Sequence, residues 1–286
     1  MSKRLLDFSS STELAFHAEA IGEIQRVAIP LGITPLIVGA FARDLHLQYA
    51  HNIATARQTE DIDIALQVKG WATFQRLREM LIETKRFVPK DGVAHRLAYR
   101  GERLALPIDI VPFGAVEGAD RMIHWPPTGE EVMDVFGFQE AYAAATSAQL
   151  PGPLEVKVVS LAGLFALKLV AWTARHYSAP RKDAHDLSLI ARHYLDAGNA
   201  ERLMSEHAEW LNEDDFEYNR AGARLLGRDI AAMMAGAARQ RFVALLDAQT
   251  DADGALQLPN DMNRYEPQLA LESLQQVRVG LLELER

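Results

Sequence analysis

The apolar positions change their period along the chain, and each change marks an element. Leu14, Ile21, Ile24 and Val27 recur near helical spacing until Pro30-Leu31-Gly32 ends the run. Ser10 followed by Glu13 fits a capping box at the start of that helix. Pro35–Val38 is a short apolar strand running into Gly39, and residues 41–49 read as a helix, followed by a loop over 50–58. The period then becomes two. Ile62, Ile64, Leu66 and Val68 alternate with Asp61, Asp63, Ala65 and Gln67, the pattern of a half-buried strand. Residues 70–84 return to helical spacing through Trp71, Phe74, Leu77 and Leu81. Residues 94–99 and 104–111 bracket Arg100-Gly101-Glu102-Arg103, which predicts a β-hairpin. Residues 113–153 are turn-rich, and past them the strand signals stop. Six helices are expected, over 155–176, 183–197, 201–211, 220–235, 239–249 and 267–285. The pattern therefore predicts an α/β domain over residues 1–152 and a helical domain over 153–286, with the boundary near Gly152-Pro153.

Composition narrows the chemistry. A chain of 286 residues with 49% hydrophobic and 24% charged residues suits a soluble globular protein with a substantial core. The net charge of −9 argues against a protein that coats nucleic acid non-specifically, and leaves room for a local basic patch. There is no cysteine, so disulfides, thiolate metal sites and cysteine nucleophiles are excluded. Residues 1–11 have a basic start without an apolar core, unlike a signal peptide. The most apolar run, 158–172, is interrupted by Lys168 and falls short of the roughly 20 residues that span a bilayer. A cytoplasmic protein with no membrane partner is expected.

The candidate chemistry begins with the acids. On the pleat Asp61 and Asp63 point the same way, and two like charges side by side repel unless something positive lies between them. A divalent cation such as Mg²⁺ (or Mn²⁺) is the usual answer, since hard cations prefer carboxylate oxygen. Two solvated acids on an exposed face are the plain alternative. Ile108-Asp109-Ile110 repeats the apolar-acid-apolar form. If its strand lies beside the first, three carboxylates converge on one side of a sheet; otherwise Asp109 is a lone strand-end acid.

The order glycine turn, Asp-x-Asp strand, apolar-Asp-apolar strand and helical domain resembles the DNA polymerase β-like nucleotidyltransferase superfamily, on Val38-Gly39, Asp61-Ile62-Asp63 and Ile108-Asp109-Ile110. Within it the chain looks most like the AbiEii/AbiGii-type (abortive-infection toxin) nucleotidyltransferases. The resemblance runs loosely from Ile33 to Leu195. It implies a nucleotidyltransferase-like α/β domain with a mixed sheet, then an all-helical domain contributing to the active-site cleft. It also implies that a helical lysine and a later aspartate complete the site, here Lys168 and Asp183. The residues bear on each role. Asp61, Asp63 and Asp109 suit metal ligands, and Asp109 also suits drawing a proton from an acceptor hydroxyl. Gly39 allows backbone to approach a phosphate, with the following helix aiming amides at it. Lys168 is one charge in an apolar helix, so it reaches an acid or a phosphate, or else snorkels to solvent. Asp183 suits the site, a helix N-cap, or both, with Asp186 a weaker candidate. Arg43-Asp44 resembles the Arg-Asp of tRNA-end-adding enzymes; the alternative is a surface ion pair, which is the preferred reading for Asp44. Ala40 stands where the superfamily has Gly or Ser, and Thr59 is the nearest hydroxyl to replace that serine. His95-Arg96 is a candidate contact to nucleotide or acceptor, or an ordinary polar strand face.

The activity so implied is metal-dependent transfer of a nucleoside monophosphate from an NTP, gripped by Gly39, Ala40, Arg43, Thr59 and Lys168. The resemblance implies the 3′ end of tRNA as one acceptor and a toxin–antitoxin setting with a cognate antitoxin. Arg175, His176, Arg181 and Lys182 would supply a basic patch for RNA. A protein side chain or an antibiotic hydroxyl suits an acidic enzyme as well, and Trp125-Pro126-Pro127 is a candidate lining for an acceptor pocket. The competing class is a catalytically silent domain that binds nucleotide or a partner protein.

Overall fold

The computed structural model describes residues 5–55, 59, 61–90, 92–101, 104–251, 254 and 256–283. The chain divides into two compact units: Met1–Leu45 with Ala56–Ser160, and His46–Thr55 with Leu161–Arg286.

The first unit is built on an eight-stranded mixed sheet. Its elements in chain order are β1 (Leu6–Asp7), α1 (Ala15–Ala28), β2 (Pro35–Val38), α2 (Gly39–Asp44), β3 (Ile62–Val68), α3 (Trp71–Glu83), β4 (Phe87–Pro89), β5 (Arg96–Arg100), β6 (Ala105–Gly114), β7 (Met122–His124), β8 (Val132–Asp134), α4 (Phe138–Ala143), β9 (Thr146–Leu150) and β10 (Leu154–Val158). The strand order is β1-β9-β10-β2-β3-β6-β5-β4, with β7 and β8 forming a separate hairpin. The expected hairpin is present as β5 and β6. Its turn residues Glu102 and Arg103 lie outside the described residues, as does part of the 50–58 loop. β3 behaves as its alternation demands: Ile62, Ile64, Leu66 and Val68 are all buried, while Asp63 and Gln67 are not. β6, paired on both edges by β3 and β5, is buried at every position from Ile108 to Phe113, so both of its faces are covered.

Three local expectations change. Helix α1 starts at Ala15 with no side-chain cap, so Ser10 and Glu13 do not form a capping box; the wholly buried Leu14 anchors the entry instead. The turn-rich stretch holds β7, β8, α4 and β9, each too short to show a period. Residues 155–176 are not one helix. β10 takes the first part, turning back on β9 through Gly152 at φ +75°, and the helix begins at Leu161.

The second unit is helical: α5 (Leu161–Arg175), α6 (Pro180–His193), α7 (Ala200–Glu206), α8 (Tyr218–Met233), α9 (Gly236–Thr250), α10 (Gln257–Met262) and α11 (Pro267–Glu283). α5 is buried from Leu161 through Val170, as its near-continuous apolar sequence requires. α8 and α11 approach so closely that glycine is required on both sides. A Cβ on Gly227 would lie 2.0 Å from the Val277 carbonyl oxygen, and one on Gly280 would lie 1.8 Å from that of Arg224. No helix among the described residues is long and apolar enough to cross a membrane.

Candidate active site

Pairing of β2 with β3 sets Asp63 opposite Val38, next to the glycine that ends β2. Gly39 has φ +70°, a backbone conformation open mainly to glycine. Space is the second reason for glycine here. A Cβ at this position would lie 1.9 Å from Asp63 Oδ2, so the carboxylate occupies the room a side chain would take. The glycine turn and the Asp-x-Asp strand are thus one steric unit, a reason distinct from the phosphate approach expected of Gly39.

β3 and β6 run parallel, with Asp63 beside Asp109. β5 and β6 run antiparallel, with Arg96 beside Asp109. Neighbouring residues of adjacent strands share a face, so Asp63, Asp109 and Arg96 form a row across three strands, and Asp61 joins it two residues before Asp63. Asp109 is only 8% exposed. Arg96 grips it with two hydrogen bonds, Nε donating to Oδ1 at 2.5 Å and Nη2 donating to Oδ2. The same Nη2 lies 3.9 Å from Asp61 Oδ2. The Asp109 hydrogen bond above all, with the fields of Asp109, Asp61 and Asp63, holds the Arg96 pKa above its ordinary value against burial. The cation that the clustered acids call for is, as folded, a guanidinium.

Three hard carboxylate oxygen donors on one face match the preference of Mg²⁺ or Mn²⁺. Among the described residues, however, no three acidic or imidazole side chains stand close enough to coordinate one ion. The donor set fits such an ion in chemistry, and Arg96 lies among the donors.

Arg43, Asp44 and Thr59 form a second cluster. The Arg43–Asp44 pair is buried, with side chains 3% and 7% exposed, and not on the surface as expected. Arg43 donates to Asp44 Oδ1 from Nε at 2.9 Å and from Nη2 at 2.6 Å. Thr59 donates its hydroxyl to Asp44 Oδ2, which clips the chain just before β3 to the end of α2. Arg43 and Thr59, two of the five residues expected to grip nucleotide, are thereby engaged with Asp44. Ala40 follows Gly39 in α2, half-buried.

In the second unit, Lys168 and Arg175 lie seven residues apart on α5, and Asp183 and Asp186 three apart on α6. Both spacings keep a pair on one helix face. Lys168 is 5% exposed, so it does not snorkel. Its Nζ stands 2.6 Å from Asp186 Oδ2 and donates to Asp183 Oδ1 at 3.1 Å. Arg175 donates to Asp183 from Nε at 2.7 Å and from Nη2 at 2.9 Å. Burial works to raise the Asp183 pKa, but Arg175 and Lys168 together hold it below the ordinary carboxylate value. Asp183 is not an N-cap: Ala179 holds that position, and α6 starts at Pro180. Asp186, the weaker candidate, is the nearer partner of Lys168. Its acid-x-x-acid spacing with Asp183 was the available signal.

Trp125 is the hub of an aromatic cluster in the first unit, with ring centroids 5.5 Å from Trp71, 5.7 Å from Phe74 and 5.4 Å from His95. Two hollows of about 530 and 520 Å³ share Trp125, Pro126, Pro127, Arg78 and Ala94 as walls.

The sequence pattern of the nucleotidyl transferase AbiEii toxin family, described as a type IV toxin–antitoxin system, matches residues 38–268. The chain belongs to this family. It is accordingly a nucleotidyltransferase, and its mixed sheet followed by helices is the fold expected from that membership. No curated protein matches it in sequence. Among solved structures it is similar to the antibiotic-resistance factor ANT(2″)-Ia in complex with adenylyl-2″-tobramycin, at 14% identity over 69% of this chain and 98% of that one, TM-score 0.39. It is also similar to the cyclic dinucleotide synthase CdnE of Elizabethkingia meningoseptica, at 12% identity over 90% and 89%, TM-score 0.27. The E. coli CdnC:HORMA complex is a third, at 14% identity over 93% and 92%, TM-score 0.27.

Proposed function

We propose that this family member transfers a nucleoside monophosphate from an NTP to a hydroxyl of an acceptor and releases pyrophosphate, with Asp61, Asp63 and Asp109 as the site. The observation that carries the reading is the cross-strand row: Asp63 beside Asp109 in register, Asp61 on the same face, and Gly39 left without a side chain to make room for Asp63. In the proposed step the acceptor oxygen bonds to the α-phosphorus and the bond from that phosphorus to the pyrophosphate oxygen breaks. The proton of the acceptor hydroxyl passes to a carboxylate, for which Asp109 is the candidate. A divalent ion held by Asp61, Asp63 and Asp109 would supply neutralisation of the triphosphate charge. Gly39 keeps Asp63 fixed beside the end of β2, so one of the acids is positioned before substrate arrives. Lys168 and Asp183 join the proposal through the family resemblance alone, since their mutual salt bridge is enough to explain their burial.

For the acceptor we favour the 3′ end of tRNA, with the protein the cytoplasmic toxin of a toxin–antitoxin pair. The Trp125 hollow is the support offered for an acceptor of this kind, because Arg78 and Lys90 line it and suit a phosphate, while Trp125, 2% exposed, is its packed wall. The test is incubation of the protein with labelled NTPs, Mg²⁺ and total RNA or lysate, beside Asp63→Ala. Label in tRNA that disappears with the variant is the expected result. Label only in protein or in small molecules would move the acceptor to those classes. No label in any fraction, or equal label from the variant, would overturn the reading.

A further inference from the structure

The acids of the first unit already hold a cation, and it is covalently part of the chain. One nitrogen, Arg96 Nη2, hydrogen-bonds Asp109 Oδ2 and stands 3.9 Å from Asp61 Oδ2. Mg²⁺ binds carboxylate oxygen at about 2.0–2.1 Å. An ion bridging these two oxygens and the Arg96 nitrogen would claim the same space. A metal ion also repels a guanidinium at such range. A divalent ion and the Arg96–Asp109 pair therefore compete for the same carboxylate oxygens.

We propose that Arg96 is the resident counter-ion of the acid row, which must release Asp109 before a divalent ion can bind, and that it thereby sets the metal affinity of the protein. This rests on the assignment of Asp61, Asp63 and Asp109 as the metal ligands.

Three features of the structure make the exchange workable. The acids do not have to be desolvated bare in the absence of metal, because the paired guanidinium offsets their repulsion. The Arg96 side chain is 32% exposed, so it can leave Asp109 for solvent without crossing packed core. Its backbone is pinned meanwhile: β5 pairs with β6 on one side and β4 on the other, so the freed guanidinium stays within a side chain's reach of the site. There it meets whatever anion the ion recruits, and the triphosphate of an NTP has the geometry that arginine binds in bidentate fashion. Arg96 is a positioning residue in the metal-free protein and a phosphate contact after the exchange.

The test is binding of Mn²⁺ to the protein alone, followed by the electron paramagnetic resonance signal of the free ion, for wild type, Arg96→Met, Arg96→Lys and Asp63→Asn, with circular dichroism to establish folding. Removing a charge-assisted bidentate competitor should tighten Mn²⁺ binding by about tenfold or more in Arg96→Met. Arg96→Lys, which keeps the charge and loses the fork, should fall between the two. Asp63→Asn should abolish the site. If wild type binds Mn²⁺ at a site lost in Asp63→Asn and Arg96→Met binds it no tighter, the counter-ion role is overturned while the metal assignment stands. If none of the folded proteins binds Mn²⁺, or Asp63→Asn binds it unchanged, the metal assignment itself is overturned and the exchange falls with it.

Discussion

Replacing Lys168 by Met isolates the energetics of the second unit's buried charges. Met nearly conserves the volume of the lysine stem, so packing along α5 is little altered and the change is the loss of one ammonium. That ammonium lies 2.6 Å from Asp186 and 3.1 Å from Asp183, whose side chains are 2% and 0% exposed. Breaking a buried pair by removing one partner costs about 3–5 kcal/mol, mostly from the charge left behind. Arg175 still holds Asp183, which places the expected loss near the lower end, about 3 kcal/mol. That is roughly 150-fold in the folding equilibrium, a large share of the ~5–15 kcal/mol typical of a domain, and about 6–12 °C in melting temperature. Urea and thermal melts of both proteins at neutral pH measure it. Two controls identify the cause. Lys168→Met combined with Asp186→Asn should recover much of the loss, because a neutral amide leaves no buried charge. The gap should also narrow as the pH falls toward 4, because the carboxylates of the variant take up protons more readily. In wild type the Asp183 pKa is held below its ordinary 3.8, so its contribution is complete above that value and is lost only as pH falls through the lowered one. A variant within about 0.5 kcal/mol of wild type would refute the account, since that is the effect of an ordinary surface substitution.

Other substitutions probe other links. Gly39→Ala places a Cβ 1.9 Å from Asp63 Oδ2 at a positive φ; we expect about 1–2 kcal/mol of backbone strain and a loss of nucleotidyl transfer out of proportion to it, read by comparing melts with turnover. Gly280→Ala sets a Cβ 1.8 Å from the Arg224 carbonyl oxygen, where backbone cannot yield as a side chain can, so destabilisation at or above the ~1–3 kcal/mol of ordinary overpacking is expected in denaturant melts. Burial holds the His17 pKa below 6.5, only partly opposed by a backbone contact to Glu13, so the unfolded chain takes up that proton first. Its contribution is complete above pH 6.5 and declines as pH drops through the interval below, and His17→Phe, which retains the stack on Phe41 at 4.8 Å, should reduce the slope of urea midpoints between about pH 7.5 and about 5.5.

Much of the candidate site's arrangement was legible because it is written in local periodicity. Alternation over 61–68 set Ile62, Ile64, Leu66 and Val68 on one face and the two acids on the other, and this holds whatever strand lies alongside. Asp109 declared itself by the same form, and Lys168 by being one charge in an apolar helix. Short elements were less legible. β4, β7, β8 and α10 are three to six residues long and cannot display a period, while β10 merged into the helical signal after it.

What the chain alone could not decide was partnership across elements. That Arg96, and not another cation, closes on Asp109 follows from the register of β5 against β6, where a slip of one residue would turn Arg96 to the other face. That Gly39 is needed to leave room for Asp63 follows from β2 ending opposite that residue. That Asp186 stands nearer Lys168 than Asp183 does follows from how α5 meets α6. Periodicity belongs to neighbours along the backbone and survives any packing. The identity of the facing side chain is settled only when two distant segments pair, because that is when charge meets charge and a Cβ meets the space it would need.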